Sequence, residues 1–188
     1  MPKIIDDVQI YRDVMQAIIQ HGYAGATTKL LAKSAGIGEV TLFRKYGSKA
    51  QLVQQAMVEL AETDDLEENV RFTGDVHHDL LQVVEAYQRS AEKNGLMFFT
   101  IIVEAARHPE LKEAFDLLQS RLSIVGQLLA RYQAEGILKP EHPLHALANL
   151  IGPIMAINML NVAVQGISVP QIDFVEYVST FVRGHQNL

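Results

Sequence analysis

The sequence predicts an all-α fold in which three short N-terminal helices are joined to a larger set of longer ones. Apolar residues recur at three- and four-residue spacing along most of the chain, and no stretch sustains the alternation of a half-buried strand. Gly and Pro breaks punctuate these periodic segments. The 188 residues suit one ordinary domain or a small domain feeding a larger one. With 48% hydrophobic and 20% charged residues, the chain can bury a core.

Ile4, Val8, Tyr11, Met15 and Ile18 form the apolar stripe of a first helix of about five turns. Gly22, within His21-Gly22-Tyr23, suits a left-handed C-cap. Thr27 or Thr28 can cap a second helix running from Lys29 to Ala35. Gly36-Ile37-Gly38 makes a tight turn, and a third helix runs from Glu39 to Lys45. Gly47-Ser48 ends it, with Ser48 capping a fourth helix from Lys49. Longer helices are expected over 75–93, 96–107, 109–135, 143–165 and 171–185. Asn94-Gly95, His108-Pro109, Gly136 through Pro140 and Gly166 through Pro170 separate them. The acidic run Asp64-Asp65-Leu66-Glu67-Glu68 reads as a solvated helix end.

Charge divides unevenly. Residues 1–50 carry +3 (Lys3, Arg12, Lys29, Lys33, Arg44, Lys45 and Lys49 against Asp6, Asp7, Asp13 and Glu39), so the remainder carries −9 of the total −6. Such asymmetry suggests an anion-facing head on an acidic body. The absence of cysteine excludes disulfides, thiolate metal sites and cysteine nucleophiles, and fits a reducing cytoplasm. The opening segment is acidic without a long apolar core, unlike a signal peptide. No Asp, Glu, Lys or Arg lies between Glu141 and Asp173, a length sufficient for a membrane span. Asn149, Pro153, Asn158, Asn161 and Gln165 interrupt it and basic flanks are missing, so burial in a soluble dimer is expected.

Residues 27–52 read TTKLLAKSAGIGEVTLFRKYGSKAQL. Two short helices that cross closely need a small residue at the contact, which Ala32 supplies, and a positive-φ residue at the turn, which Gly36 supplies. Ile37 fills the angle between them, while Leu42 and Tyr46 point back into the core. The opposite face of the third helix presents Val40, Thr41, Arg44 and Lys45, narrow and basic enough to enter a major groove. These are the requirements of a helix-turn-helix.

In Thr28, Leu31-Ala32, Ala35-Gly36-Ile37, Thr41-Leu42-Phe43, Tyr46, Ser48-Lys49 and Leu52, the segment closely resembles the TetR family of bacterial regulators. The register runs without a gap. The resemblance implies a DNA-binding domain over 1–49 and a helical ligand-binding and dimerisation domain over 50–188. It implies that Thr28, Thr41, Tyr46 and Lys49 lie near phosphates, and that Val40, Arg44 and Lys45 face base edges or the adjacent backbone. Lys49 has an independent argument, since the first turn of a helix already favours an anion. Glu39 is expected to accept from a cytosine amino group or to favour the helix dipole. Gly38, Val40 and Phe43 depart from the family's usual serine, glycine and tyrosine. The third helix thereby lacks a side-chain cap, gains an apolar group suited to a thymine methyl, and loses a phenolic donor.

The resemblance further implies a repressor, homodimeric through the chain from Pro143 to Gln165 and from Gln171 to Phe181, released from a palindromic operator by a small-molecule inducer. Two recognition helices one helical turn apart would read the two half-sites. Tyr87, Met97, Phe98, Phe99, Ile102, Phe115, Met155 and Met159 are the candidate ligand-binding side chains, although such residues equally build plain core. His77-His78-Asp79 and His142 with His145 lack a convincingly spaced third ligand, so no metal is expected. No cofactor is expected, and no phosphate-binding glycine loop, nucleophile elbow or His-Glu-x-x-His motif supports catalysis. The competing readings are a ligand-independent architectural DNA binder and a small-molecule-binding adaptor.

Overall fold

A computed structural model describes residues 6–62, 66–163 and 170–187 of the chain. Ile4, Asp64, Asp65 and Gln165 lie outside these described residues. The helix α1 (Asp7–Gly25) starts where Asp6 accepts from the backbone N–H groups of Val8 and Gln9, at 3.1 and 3.4 Å. Its apolar stripe buries Tyr11, Val14, Met15 and Ile18. Gly22 does not end the helix as a left-handed cap; at φ 70° and ψ 163° it kinks the chain, which resumes helical bonding to Gly25. Thr27 caps α2 (Thr28–Ser34), its hydroxyl accepting from Leu30 N–H at 3.2 Å.

The turn that follows is a Schellman motif. Gly36, at φ 65°, donates to the Lys33 carbonyl at 3.2 Å, and Ile37 donates to Ala32 at 3.1 Å. Because glycine carries no Cβ, this conformation satisfies the last carbonyls of α2 without strain. Gly38 opens α3 (Glu39–Tyr46) with no side-chain cap, as its sequence requires. α4 (Lys49–Glu62) begins with a reciprocal capping box: Gln51 N–H donates to Ser48 Oγ at 3.2 Å, and Ser48 N–H to Gln51 Oε1 at 2.8 Å.

α5 (Leu66–Asn69), α6 (Val76–Asn94) and α7 (Met97–Ala105) follow. The helix expected over 109–135 is divided into a 3₁₀ turn (Pro109–Leu111) and α8 (Lys112–Ala134), because Pro109 holds His108 out of the helical region. α9 spans Pro143–Ala163. α10 (Phe174–His185) starts later than periodicity suggests, since Asp173 takes the cap and accepts from Val175 and Glu176 N–H at 3.0 and 3.1 Å. Among the described residues, the sole β-like pairing is an isolated antiparallel bridge between Leu138 and Gln186.

The chain forms two compact units. One consists of Met1–Thr63 and Asn94–Gln119. Within it α1 packs on α2, α4 and α7, α3 packs on α2 and α4, and the 3₁₀ turn packs on α4 and α7. Leu31, Leu42, Leu52 and Met57 are fully buried there. Each such side chain contributes about 1.5–3 kcal/mol relative to exposure, which holds α3 at a set angle.

The other unit consists of Asp64–Lys93 and Ser120–Leu188. Its core joins Leu80, Val83 and Val84 of α6, Leu128, Leu129 and Tyr132 of α8, Leu150 and Ile154 of α9, and Val178 and Phe181 of α10. Asp79 is 2% exposed within this apolar setting. Its carboxylate accepts from Thr73 N–H at 2.7 Å, from the Thr73 hydroxyl at 2.6 Å and from the Tyr132 hydroxyl. A buried carboxylate needs such partners, and here they tie α8 and the segment before α6 to α6 itself.

Candidate nucleic-acid interface

α3 is two turns long and divides sharply by burial. Leu42 is fully buried and Tyr46 is 3% exposed, while Glu39, Val40, Arg44 and Lys45 are exposed and Thr41 is half-buried. Val40, at 81% exposure, is an apolar side chain that the fold leaves in water. Arg44 has no ion-pair or hydrogen-bond partner among the described residues. The face therefore carries a carboxylate, a branched apolar group, a hydroxyl and a guanidinium on one short helix. Thr28 is exposed at the first position of α2.

The remaining three candidates are engaged inside the protein. Lys45 Nζ donates to Asp7 Oδ1, and the Tyr46 hydroxyl donates to the same oxygen at 2.7 Å. Hydrogen bonds from Lys45 and Tyr46 hold the Asp7 carboxyl below its usual range. The Tyr46 ring packs edge-on to Tyr11 with centroids 5.6 Å apart, and burial together with Asp7 pushes its phenol upward. Tyr46 is thus a core residue whose hydroxyl is already donated; the resemblance instead implies a phosphate neighbour. Lys49 Nζ donates to the Tyr23 carbonyl and sits 4.1 Å from the Tyr23 ring centroid. Desolvation lowers the Lys49 pKa, and burial pushes the Tyr23 phenol up to about 12. Tyr23 in turn stacks near His108, whose Nε2 is 3.4 Å from Glu104 and Nδ1 3.7 Å from Glu110.

Asp7 and Tyr23 were not among the residues singled out from sequence. Asp7 reads as an ordinary acidic residue in a helix's first turn, and its partners lie 38 and 39 positions away. Asp7 is one of four acidic residues in the first 50, and nothing in residue order sets it apart from Asp6, Asp13 or Glu39.

The eight candidate ligand side chains fall in both units. Met97, Phe98, Phe99, Ile102 and Phe115 belong to the first, with Met97 1% exposed. Tyr87, Met155 and Met159 belong to the second, where burial pushes the Tyr87 phenol up to about 12. The second unit also holds an open polar cleft of about 340 Å³ that includes Glu68, Arg71, His78 and Asp79 and none of the eight. Helix α9 is long and apolar enough to cross a membrane by length and composition, over Pro143–Val162, yet only 28% of that window is buried. Leu144, Leu160 and Val162 on α9 and Val175 on α10 are exposed large apolar groups.

Two family models match this chain. Residues 14–56 match the model of bacterial regulatory proteins of the tetR family, and residues 70–162 match the tetracyclin repressor-like C-terminal domain. The chain belongs to the TetR family. Members of this family are DNA-binding transcriptional regulators with a helix-turn-helix and a helical C-terminal domain, and are not enzymes. This TetR-family chain is 27% identical over 126 residues to an HTH-type transcriptional regulator of Mycobacterium tuberculosis. The match spans 67% of this chain and 59% of that relative's length. It is 25% identical over 187 residues to the HTH-type transcriptional regulator YvkB of Bacillus subtilis, covering 90% of this chain and 92% of YvkB. A TetR-family regulator from Marinobacter aquaeolei has the same fold, with a TM-score of 0.75 at 15% identity over 97% of this chain and 96% of that one. FadR of Bacillus subtilis, solved in complex with stearoyl-CoA, superposes with a TM-score of 0.68 at 15% identity over 95% and 96%.

Proposed function

We propose that this chain is a repressor that binds a palindromic operator as a homodimer and leaves it when a small molecule binds residues of the 50–188 region. The observation that carries the reading is the exposed face of α3, where Val40 and Arg44 stand unpartnered on a helix locked by the Schellman turn. A planar guanidinium suits the paired acceptors of guanine, and an exposed valine suits a thymine methyl. Glu39 can accept from a cytosine amino group, while Thr28, Thr41 and Lys49, each in the first turn of its helix, suit phosphate oxygens. The 1–49 segment serves as the reading head.

A second copy of the chain covers the α9 and α10 face, from Pro143 to Gln165 and from Gln171 to Phe181. Exposed Leu144, Leu160, Val162 and Val175 support this, because a soluble chain gains by burying exposed large apolar groups. The same burial makes α9 an interface helix of a cytoplasmic protein and not a membrane span. Ligand binding to a form with its recognition helices wrongly spaced for successive grooves would release the operator.

Selection from a random duplex pool, followed by anisotropy titration, tests the reading. The expected product is a palindrome with half-sites about one helical turn, or a multiple, apart, and Arg44→Ala weakens it by about 1–3 kcal/mol at one base position. No enrichment over the starting pool would overturn it. A thermal-shift series that includes stearoyl-CoA and small metabolites then tests the inducer.

A further inference from the structure

We infer that Asp7 acts as a built-in phosphate surrogate: it clasps Lys45 at the end of α3 and withholds that cation from the DNA backbone. The inference rests on the operator-binding reading and goes beyond it by setting Lys45 apart from Arg44, the other cation in the last turn of α3. Three observations carry it. Lys45 and Tyr46 both donate to one oxygen of Asp7, so the carboxylate is held from two sides. The Tyr46 ring that anchors this arrangement is 3% exposed and braced by Tyr11 and by Gln55, whose amide donates to the Tyr46 carbonyl at 3.3 Å. The ammonium also lies 5.1 Å from the Tyr46 ring centroid, against the face of the residue beside it.

An exposed lysine–carboxylate pair is ordinarily weak, and Lys45 and Asp7 are each about two-fifths exposed. Here the carboxylate cannot swing away, because the buried phenol fixes it. A Lys45 that left for a phosphate would strand Asp7, charged at neutral pH, beside a polyanion. The clasped pair is electrically neutral, so it displaces no condensed counterion when DNA binds. Asp7 is in this sense a positioning residue for the reading head, and Arg44, without such a partner, remains available to the duplex.

The salt dependence of binding to random-sequence duplex separates this from the plain reading of Lys45 as a phosphate contact. Asp7→Asn keeps an oxygen for the Tyr46 hydroxyl and removes the charge, so it should steepen the log–log salt slope by about 0.9, the value for one added phosphate contact. That corresponds to an extra loss of about 3.5-fold in affinity between about 50 and about 200 mM salt. The double variant Asp7→Asn with Lys45→Met should return to the wild-type slope. A flattening of about 0.9 in the double variant relative to wild type, or no change in Asp7→Asn, overturns the clasp while operator binding stands. A wild-type protein with no salt-dependent duplex affinity overturns operator binding itself, and the clasp's role with it. Matching circular dichroism melts confirm that the variants are folded, and Asp7→Ser, alone and with Lys45→Met, decides the question should Asp7→Asn not fold.

Discussion

Replacing Gly36 by alanine isolates the cost of a single backbone torsion in the helix-turn-helix. Gly36 sits at φ 65°, where an L side chain is strained. A Cβ built at this position meets nothing within 4 Å, so no steric clash adds to the torsional term. Left-handed alanine costs about 1–2 kcal/mol. Alanine also restricts the unfolded chain, which returns about 0.4–1 kcal/mol. From the middle of both ranges the net destabilisation is about 0.8 kcal/mol, with Gly36→Asn costing less because asparagine tolerates this region. With a urea m-value of about 2–3 kcal/mol/M, the midpoint should fall by about 0.3–0.4 M at constant m. An unchanged midpoint would mean that the residue is not left-handed. A loss above about 3 kcal/mol would mean that the space around it is closed, contrary to the open surroundings described here. Asparagine matching alanine would remove the torsional explanation.

Val40→Ala should leave the melting midpoint within about 0.5 kcal/mol of wild type, since Val40 is exposed, while weakening preference for thymine over uracil at one operator position. Equal affinity for thymine- and uracil-containing sites in the wild type would dismiss the methyl contact. Tyr132→Phe removes one donor from buried Asp79 and should cost about 1–3 kcal/mol in urea unfolding; an unaltered midpoint would contradict that anchor. Hydrogen bonds from Lys45 and Tyr46 hold the folded-state pKa of Asp7 below that of an unfolded aspartate, so its stabilising contribution is present above the unfolded value and lost as the pH falls through the folded one. The stability gap between wild type and Asp7→Asn should accordingly close in acid, and a gap that widens there would reverse the assignment. Leu160→Glu together with Val175→Glu should shift the protein toward monomer in sedimentation, and an undisturbed dimer would place the interface elsewhere.

Much of the local structure was legible in residue order because it depends on short-range chemistry. The stripe of Tyr11, Met15 and Ile18 follows from helical periodicity, and Gly36 and Ser48 mark a turn and a cap whose hydrogen bonds span only a few residues. Gly22 shows where such reading stops. Glycine announces a positive φ, but periodicity does not say whether the chain will end a helix there or kink through it. The same local logic placed Val40 and Arg44 on the outer face of α3, because Leu42 and Tyr46 occupy the inner one.

What the helix-turn-helix does with its cations is a different matter. The sequence by itself determined that α3 is short, faces outward and carries Arg44 and Lys45 in its last turn, since spacing and turn chemistry are enough for that. Only the tertiary structure decided that Lys45 is held by Asp7, that Tyr46 donates inward, and that Lys49 rests on the Tyr23 carbonyl. Those pairings join residues 26 to 39 positions apart. They exist because α1 and α3 both pack on α4, which brings the two ends of α1 within reach of side chains at the α3–α4 junction.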